Sequence, residues 1–333
     1  MRSGFLALSC AAFCLSTQAF ADDSSAALGA GGVVLTKSAD IRMAREDLYV
    51  SPKKVRIRFE FVNGTDRDID TVVAFPLPDV DMNEYTMSPV GAMTGDPLNF
   101  VGFTVTADGK AIVPQSEQRA FYRGRDVTDI VRRAGVPLMM TDPRFSKLMD
   151  KLPASQRRIL EDAGLADSES GDFEHPHWTV RTRFFWHQLF PAHRTVVLEH
   201  AYQPVTGQSF FTGYELAGGK DSSAAYYART YCIDPATHAA IARRIGGQPG
   251  KTDDGAMLAA YSTDYILVSG ANWKGGIGHF HLTLDKLEPG NILSVCWDGA
   301  LKKTGATTFE VSQDDFTPRQ DVRMLVLGPV PKQ

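Results

Sequence analysis

Alternation is the feature that most restricts this chain. Val55, Ile57, Phe59 and Phe61 are interleaved with Arg56, Arg58 and Glu60, so apolar and charged side chains fall on opposite faces of an extended segment. The same period of two returns in Trp178, Val180, Thr182, Phe184 and Trp186, and again in Val196, Leu198, His200 and Tyr202. Strands of this kind must pair with neighbours and cover their apolar face with a second layer. Further strands are expected near residues 70–75, 100–105, 110–113, 226–233, 265–269, 278–284, 292–297, 307–311 and 323–327. Asn63-Gly64 reads as the turn of a hairpin joining residues 55–61 to 70–75, and Ala107-Asp108-Gly109 as the turn of another.

Helix signals are fewer. Residues 126–134 end at Gly135 and residues 155–163 at Gly164, glycines suited to the left-handed position after a helix. Asp142-Pro143 and Asp234-Pro235 each offer a cap followed by proline in the first turn. The first three helices form an excursion over about residues 126–164. The fourth, about residues 235–245, stops at Gly246-Gly247, and the glycine-rich run that follows to Gly255 reads as a mobile loop.

The reading is therefore mainly β: an antiparallel β-sandwich over residues 22–206 with a helical insertion, then a second β-rich, sandwich-like region over residues 207–333. A single larger sandwich is the alternative.

The first 21 residues carry the marks of a secretory signal. Arg2 is the positive start, residues 5–15 are mostly apolar, and Ala19-Phe20-Ala21 is a small-x-small cleavage pattern. A periplasmic or secreted product is expected after cleavage near Ala21. No later stretch approaches the roughly 20 apolar residues of a transmembrane helix. The formal charge of −4 gives no global attraction for nucleic acid. Cys232 and Cys296 are the cysteines that remain, and an even pair in an exported chain reads first as a disulfide. A catalytic thiol is the alternative, without a nearby Cys-His grouping to support it.

Histidines are arranged suggestively in two places. His279 and His281 share a strand face about 7 Å apart, close enough to reach one metal ion. His175 and His177 flank Pro176, just after Asp172 and Glu174. Zn²⁺ or Cu²⁺ would suit ligands of these types; a polar strand face and a polar loop explain them more simply. His200 shares its face with Val196, Leu198 and Tyr202, which marks it as a hydrogen-bonded core or rim residue. Phe184-Phe185-Trp186 puts rings on both faces of its strand, and Arg181, Arg183 and Phe185 form a basic-aromatic strip on the second face. A polysaccharide could dock there, or the strip could pack under the helical excursion. Tyr226-Tyr227 likewise suggests a strand with rings on both faces.

Two resemblances follow from particular residues. Residues 55–78, closing in Phe75-Pro76-Leu77-Pro78, then Phe103-Thr104-Val105, Asp108-Gly109-Lys110 and Glu117-Gln118-Arg119-Ala120, resemble the VIT (vault and inter-alpha-trypsin) β-sandwich domain across about residues 33–206. Ala30-Gly31-Gly32-Val33-Val34-Leu35-Thr36, Phe75-Pro76, Gln188 with Phe190-Pro191, Tyr231-Cys232-Ile233-Asp234 and Ser294-Val295-Cys296-Trp297 are similar to a family of exported bacterial proteins classed as a domain of unknown function. That second resemblance implies export, a β-rich fold and a paired Cys232 and Cys296, and transfers no catalytic residue. No Gly-x-Ser-x-Gly elbow or phosphate-binding glycine loop is present. The expectation is a non-catalytic binding protein of the cell envelope, acting without a cofactor, whose partner is another envelope protein. A metal-binding protein or metal-dependent hydrolase using His279 and His281 is the alternative.

Overall fold

The computed structural model describes residues 24–29, 32–87, 94–149, 151–167, 176–217, 223–246 and 257–331. The expected signal segment, Asp172, Glu174, His175 and residues 247–255 of the expected mobile loop lie outside these. In chain order the first elements are β1 (Ser24–Gly29), β2 (Gly32–Thr36), β3 (Ile41–Ser51), β4 (Lys54–Asn63), β5 (Ile69–Pro76), β6 (Val80–Asp81) and α1 (Met82–Met87). Then come β7 (Thr104–Ala107), β8 (Lys110–Ile112), β9 (Gln115–Tyr122), β10 (Arg125–Asp126), α2 (Thr128–Arg133), α3 (Arg144–Met149) and α4 (Ala154–Asp162). These are followed by β11 (Thr179–Phe190), β12 (Thr195–Tyr202), β13 (Thr206–Phe211), α5 (Gly213–Ala217), α6 (Ser223–Thr230) and α7 (Pro235–Ile245). The chain closes with β14 (Leu258–Tyr265), a 3₁₀ turn (Val268–Asn272), β15 (Ile277–Asp285), β16 (Ile292–Val295), β17 (Lys302–Lys303), β18 (Thr308–Phe316) and β19 (Val322–Pro329).

The fold is mainly β, with three sheets. One runs β10-β9-β11-β5-β1-β2, with β6 beside β11; a second runs β17-β18-β15-β3-β4-β12-β7-β8; a third runs β13-β14-β19-β16. Among the described residues neighbours are antiparallel except β15 with β3. The first two sheets pack face to face through their alternating apolar residues. Phe103 stacks on Phe184 at 4.4 Å, and Phe61 meets Phe190 edge-on at 5.8 Å. The parallel pair needs a close backbone approach: a Cβ on Gly278 would lie 2.7 Å from the Ala44 carbonyl oxygen, beside the bulge where β3 shifts register.

The hairpin expected from residues 55–61 to 70–75 does not form. β4 lies between β3 and β12, whereas β5 lies between β11 and β1 in the facing sheet. Asn63 redirects the chain: its side-chain amide donates to the Arg67 and Phe190 carbonyls at 2.8 Å, and its carbonyl oxygen accepts from Thr65 N at 2.9 Å. The second expected hairpin is present as β7–β8. Residues 100–103 are a turn rather than strand, held by Asn99 Oδ1 accepting from Phe103 N at 2.6 Å. Residues 226–230 are helical, not extended; Tyr227 and Tyr231 are four apart and share a helix face, a spacing that the aromatic density concealed. The strand expected at 265–269 does not form: β14 ends at Tyr265, and Asp321 Oδ1 accepts from Leu267 N and Val268 N and holds the 3₁₀ turn that follows.

The helix signals fit closely. Asp234 caps α7 by accepting from Thr237 N at 2.6 Å, and Gly246 closes it with φ 67°. Gly135 and Gly164 follow α2 and α4 with φ 73° and 69°. The seam expected near Gly207 does not separate two sheets, because β15, β17 and β18 hydrogen-bond into the sheet of β3, β4 and β12. What does lie wholly from residue 206 onward is the third sheet, with α5, α6 and α7 packed on it and the Cys232–Cys296 disulfide tying the α6–α7 junction to the end of β16. No helix among the described residues is long and apolar enough to cross a membrane.

Candidate functional site

The helical insertion stands against β9 and β11 and leaves a groove beside them. Val127 N donates to the Ala120 carbonyl and Ala120 N to Thr128 Oγ1 at 2.9 Å, which fixes the start of α2 on β9. Trp178, just before β11, is fully buried and donates its indole N–H to the Leu138 carbonyl at 3.0 Å. This anchors the segment after α2 over the sheet. The result is a cavity of about 760 Å³ whose apolar lining includes Val33, Leu98, Val136, Met139 and Phe185. Leu98 is 55% exposed there, a large apolar side chain left in contact with water.

Charge on the rim is mostly engaged. Arg144 grips Asp142 through Nη2 at 2.6 Å and Nε at 3.0 Å, and this guanidinium holds the Asp142 carboxyl below the usual range. Glu117 accepts from Val33 N at 3.2 Å and lies 3.5 Å from Arg183 Nη1, which also donates to the Val33 carbonyl at 2.9 Å. The two side chains thus clasp both polar groups of one backbone residue in β2. Burial lowers the Arg183 guanidinium, and Glu117 opposes that. Arg132 forms no ion pair among the described residues.

The expected basic-aromatic strip is divided by these contacts. Arg181 donates to Asp79 Oδ2 at 3.0 Å and lies 4.0 Å above the Phe121 ring. Phe185 packs against a small cluster of Ala26, Val33, Val72 and Ala74 and lines the groove. Of the strip, Phe185 and the Arg183–Glu117 clasp face the groove; Arg181 is bound elsewhere.

The histidines fall on different partners. His279 Nδ1 lies 2.6 Å from Asp314 Oδ1, and His281 Nδ1 lies 2.8 Å from Ser312 Oγ on the neighbouring β18. Glu310 Oε2 is 3.9 Å from His281 Nε2. His177 meets the Gly164 carbonyl at 3.3 Å and Asp167 at 3.4 Å, beside the end of α4. No three His, Cys, Asp or Glu side chains among the described residues converge on a metal-binding group. His200 is buried between the two main sheets, with Phe59, Phe75, Phe103 and Trp186 all within 5.5 Å ring to ring, and burial lowers its pKa to about 3.

A family model described as a domain of unknown function, DUF4424, matches residues 21–325. The chain belongs to this family. Among solved structures, this DUF4424 chain is similar to a candidate nutrient binding protein from Legionella pneumophila, at 15% identity and a TM-score of 0.43, over 92% of this chain and 72% of that one. It is also similar to an M1 zinc metallopeptidase from Deinococcus radiodurans, at 9% identity and a TM-score of 0.25, over 89% of this chain and 44% of that one. No curated protein matches the chain.

The groove of this DUF4424 member was only partly foreshadowed by its sequence. Phe185 stands out in the sequence by its place on an alternating strand, whereas Leu98, Val136 and Met139 do not, because they come from connections between elements and follow no period. The one available signal was Val136-Pro137-Leu138-Met139-Met140, an apolar run just after a helix-ending glycine.

Proposed function

We propose that this protein is an exported, non-catalytic binding protein of the cell envelope, and that the groove beside the helical insertion seats an apolar segment of another envelope protein. The observation that carries the reading is the groove itself: an apolar lining with rim charges held in mutual pairs, and Arg132 free to meet a carboxylate on the partner. A volume near 760 Å³ falls within the range of ligand sites. The apolar signal segment and the Cys232–Cys296 bond both fit an oxidising compartment.

The first test uses an apolar, anionic fluorescent probe, anilinonaphthalene sulfonate, on the purified mature protein. It should bind once per chain, and Leu98→Lys or Arg132→Glu should weaken it about tenfold with the circular dichroism unchanged. Unchanged binding in both variants removes the groove from the account. A photo-crosslinking residue at position 98 should then give a discrete protein adduct in the envelope that Met139→Lys abolishes; its absence would count against a protein partner.

A metal reading rests on a separate observation, the hydrogen bonds that orient the His279 and His281 rings through Nδ1. In it Zn²⁺ or Cu²⁺ would be held by the Nε2 atoms of His279 and His281, with solvent completing the coordination. Metal analysis of the mature protein, with and without His279→Ala and His281→Ala, decides it: stoichiometric metal lost in the double variant favours this reading over the first.

A further inference from the structure

A second cavity, of about 470 Å³, opens where α6 meets the connection after β5. Its aromatic wall follows from helix geometry. Tyr227 and Tyr231 are four residues apart, so their rings lie side by side at 5.9 Å, and Tyr226 meets Tyr227 edge-on at 5.8 Å. Tyr231 is buried, Tyr226 is 55% exposed at the cavity, and the Tyr227 hydroxyl is 2.8 Å from Ser209 Oγ on β13. The facing wall is acidic, with Asp79 after β5, Asp81 from β6, Glu84 from α1 and Asp264 from β14. Among the described residues no lysine, arginine or histidine lines the cavity.

Two of these four carboxylates are engaged. Arg181 holds Asp79 at 3.0 Å, and Asp81 accepts the amides of Asn83 and Glu84. The side chains of Glu84 and Asp264 accept no hydrogen bond and form no ion pair among the described residues. Asp264 is exposed to solvent at the cavity. The protein crowded around it on its other sides pushes its carboxyl up to about 6, with Arg323 acting against that shift and Asp321 with it. Arg323 is its cross-strand neighbour on β19, yet the two form no ion pair. A crowded carboxylate without a donor, facing tyrosine rings whose faces carry negative charge density, is an environment that a cation would complete.

We propose that this cleft binds an organic cation, an amine or guanidinium, either as a free small molecule or as the side chain of a basic peptide. Asp264 and Glu84 would receive its N–H groups, and the ring of Tyr226 would cover its charge. This is a site apart from the groove, and it stands whether or not the groove binds a protein.

The test is calorimetric titration of the mature, disulfide-bonded protein at pH 7.5 with agmatine and with the tripeptide Gly-Arg-Gly, using glutarate as the anionic control. Either cation should bind while glutarate does not. Asp264→Asn and Tyr226→Ala should each weaken binding about tenfold. The exposed position of Tyr226 keeps that variant foldable if Asp264→Asn is not. Tighter binding of agmatine identifies a free amine as the ligand class, and tighter binding of the tripeptide a basic side chain. Lowering the pH to 5 should weaken binding as Asp264 gains a proton; Asp79, Asp81, Glu84, Asp321, Arg323 and the three tyrosines are the other ionisable groups facing it. Leu98→Lys should leave agmatine binding unchanged, which separates this site from the groove. Failure of both cations to bind at about 10 mM, or equal affinity in wild type and both variants, overturns the proposal.

Discussion

The two-sheet sandwich and the four-stranded layer that starts at residue 206 bury their strands in different ways. In the sandwich, β4 and β11 alternate one buried and one wetter side chain along nearly their whole length. In the outer layer, β19 is buried on both faces. Val322, Met324 and Val326 join the sandwich core, whereas Leu325 and Leu327 meet Ile241, Ile245 and Tyr231 under the helices. β19 is therefore the middle of three layers, and the helices, not a fourth sheet, close the far side. The difference shows that one chain can hold a large aromatic core by alternation alone, while a smaller core, nine buried residues among those described, is backed by a covalent tie.

The sharpest way to break that comparison is to open a cavity in the sandwich. Phe61 is fully buried and its ring lies 4.5 Å from Trp273 and 5.5 Å from Phe59. Phe61→Ala should cost about 3–5 kcal/mol in urea denaturation and lower the protection of both main sheets together. If only one sheet lost protection in hydrogen exchange, the two would not form a common core.

Removing the staple should act on the other region. The disulfide closes a loop across 64 positions, worth about 4 kcal/mol on the chain-entropy estimate. The double variant Cys232→Ser/Cys296→Ser should lose most of this from the outer layer: amides of α6 and α7 should exchange faster, while those of β4 and β11 keep their protection. A uniform loss across the molecule would show that the outer layer and the sandwich unfold as one unit.

How much of this was legible in the sequence differs between the same two regions. Half-buried strands announce themselves through charged residues at every second position, as in residues 55–61, and caps such as Asp234 with Gly246 mark helix ends by local chemistry. β19 is apolar from Met324 to Leu327, so it carries no period and its middle position is invisible. Pairing was harder to read than element type. Asn63-Gly64 looks like a hairpin turn but carries the chain between sheets, because the Asn63 side chain bonds to the distant Phe190 carbonyl. The groove and the tyrosine cleft are assembled from connections and from facing elements, so their residues are scattered in sequence by necessity. In the sequence Tyr226 and Tyr227 are only aromatic density, and the helical turn that joins them to Tyr231 makes that density a wall.

The last prediction concerns a titratable group that the sandwich core encloses. His200 extends from β12 among Phe59, Phe75, Phe103 and Trp186, rings contributed by both main sheets and the turn before β7. Burial disfavours the charged imidazolium and lowers its pKa from 6.5 to about 3. Between those values the unfolded chain binds a proton that the folded chain does not. Stability is therefore complete above pH 6.5 and falls as the pH drops, by about 1.4 kcal/mol per unit until the folded pKa is reached. From pH 6 to pH 4 this one residue should remove about 2–3 kcal/mol. His200→Phe should flatten that part of the pH profile while leaving the groove probe and agmatine titrations unchanged at pH 7.5. Equal slopes in wild type and variant would mean that the acid sensitivity comes from carboxylates elsewhere and that the aromatic surround does not exclude the proton. A flattened slope would place the pH dependence inside the sandwich, where the comparison with the outer layer says the burial is most complete.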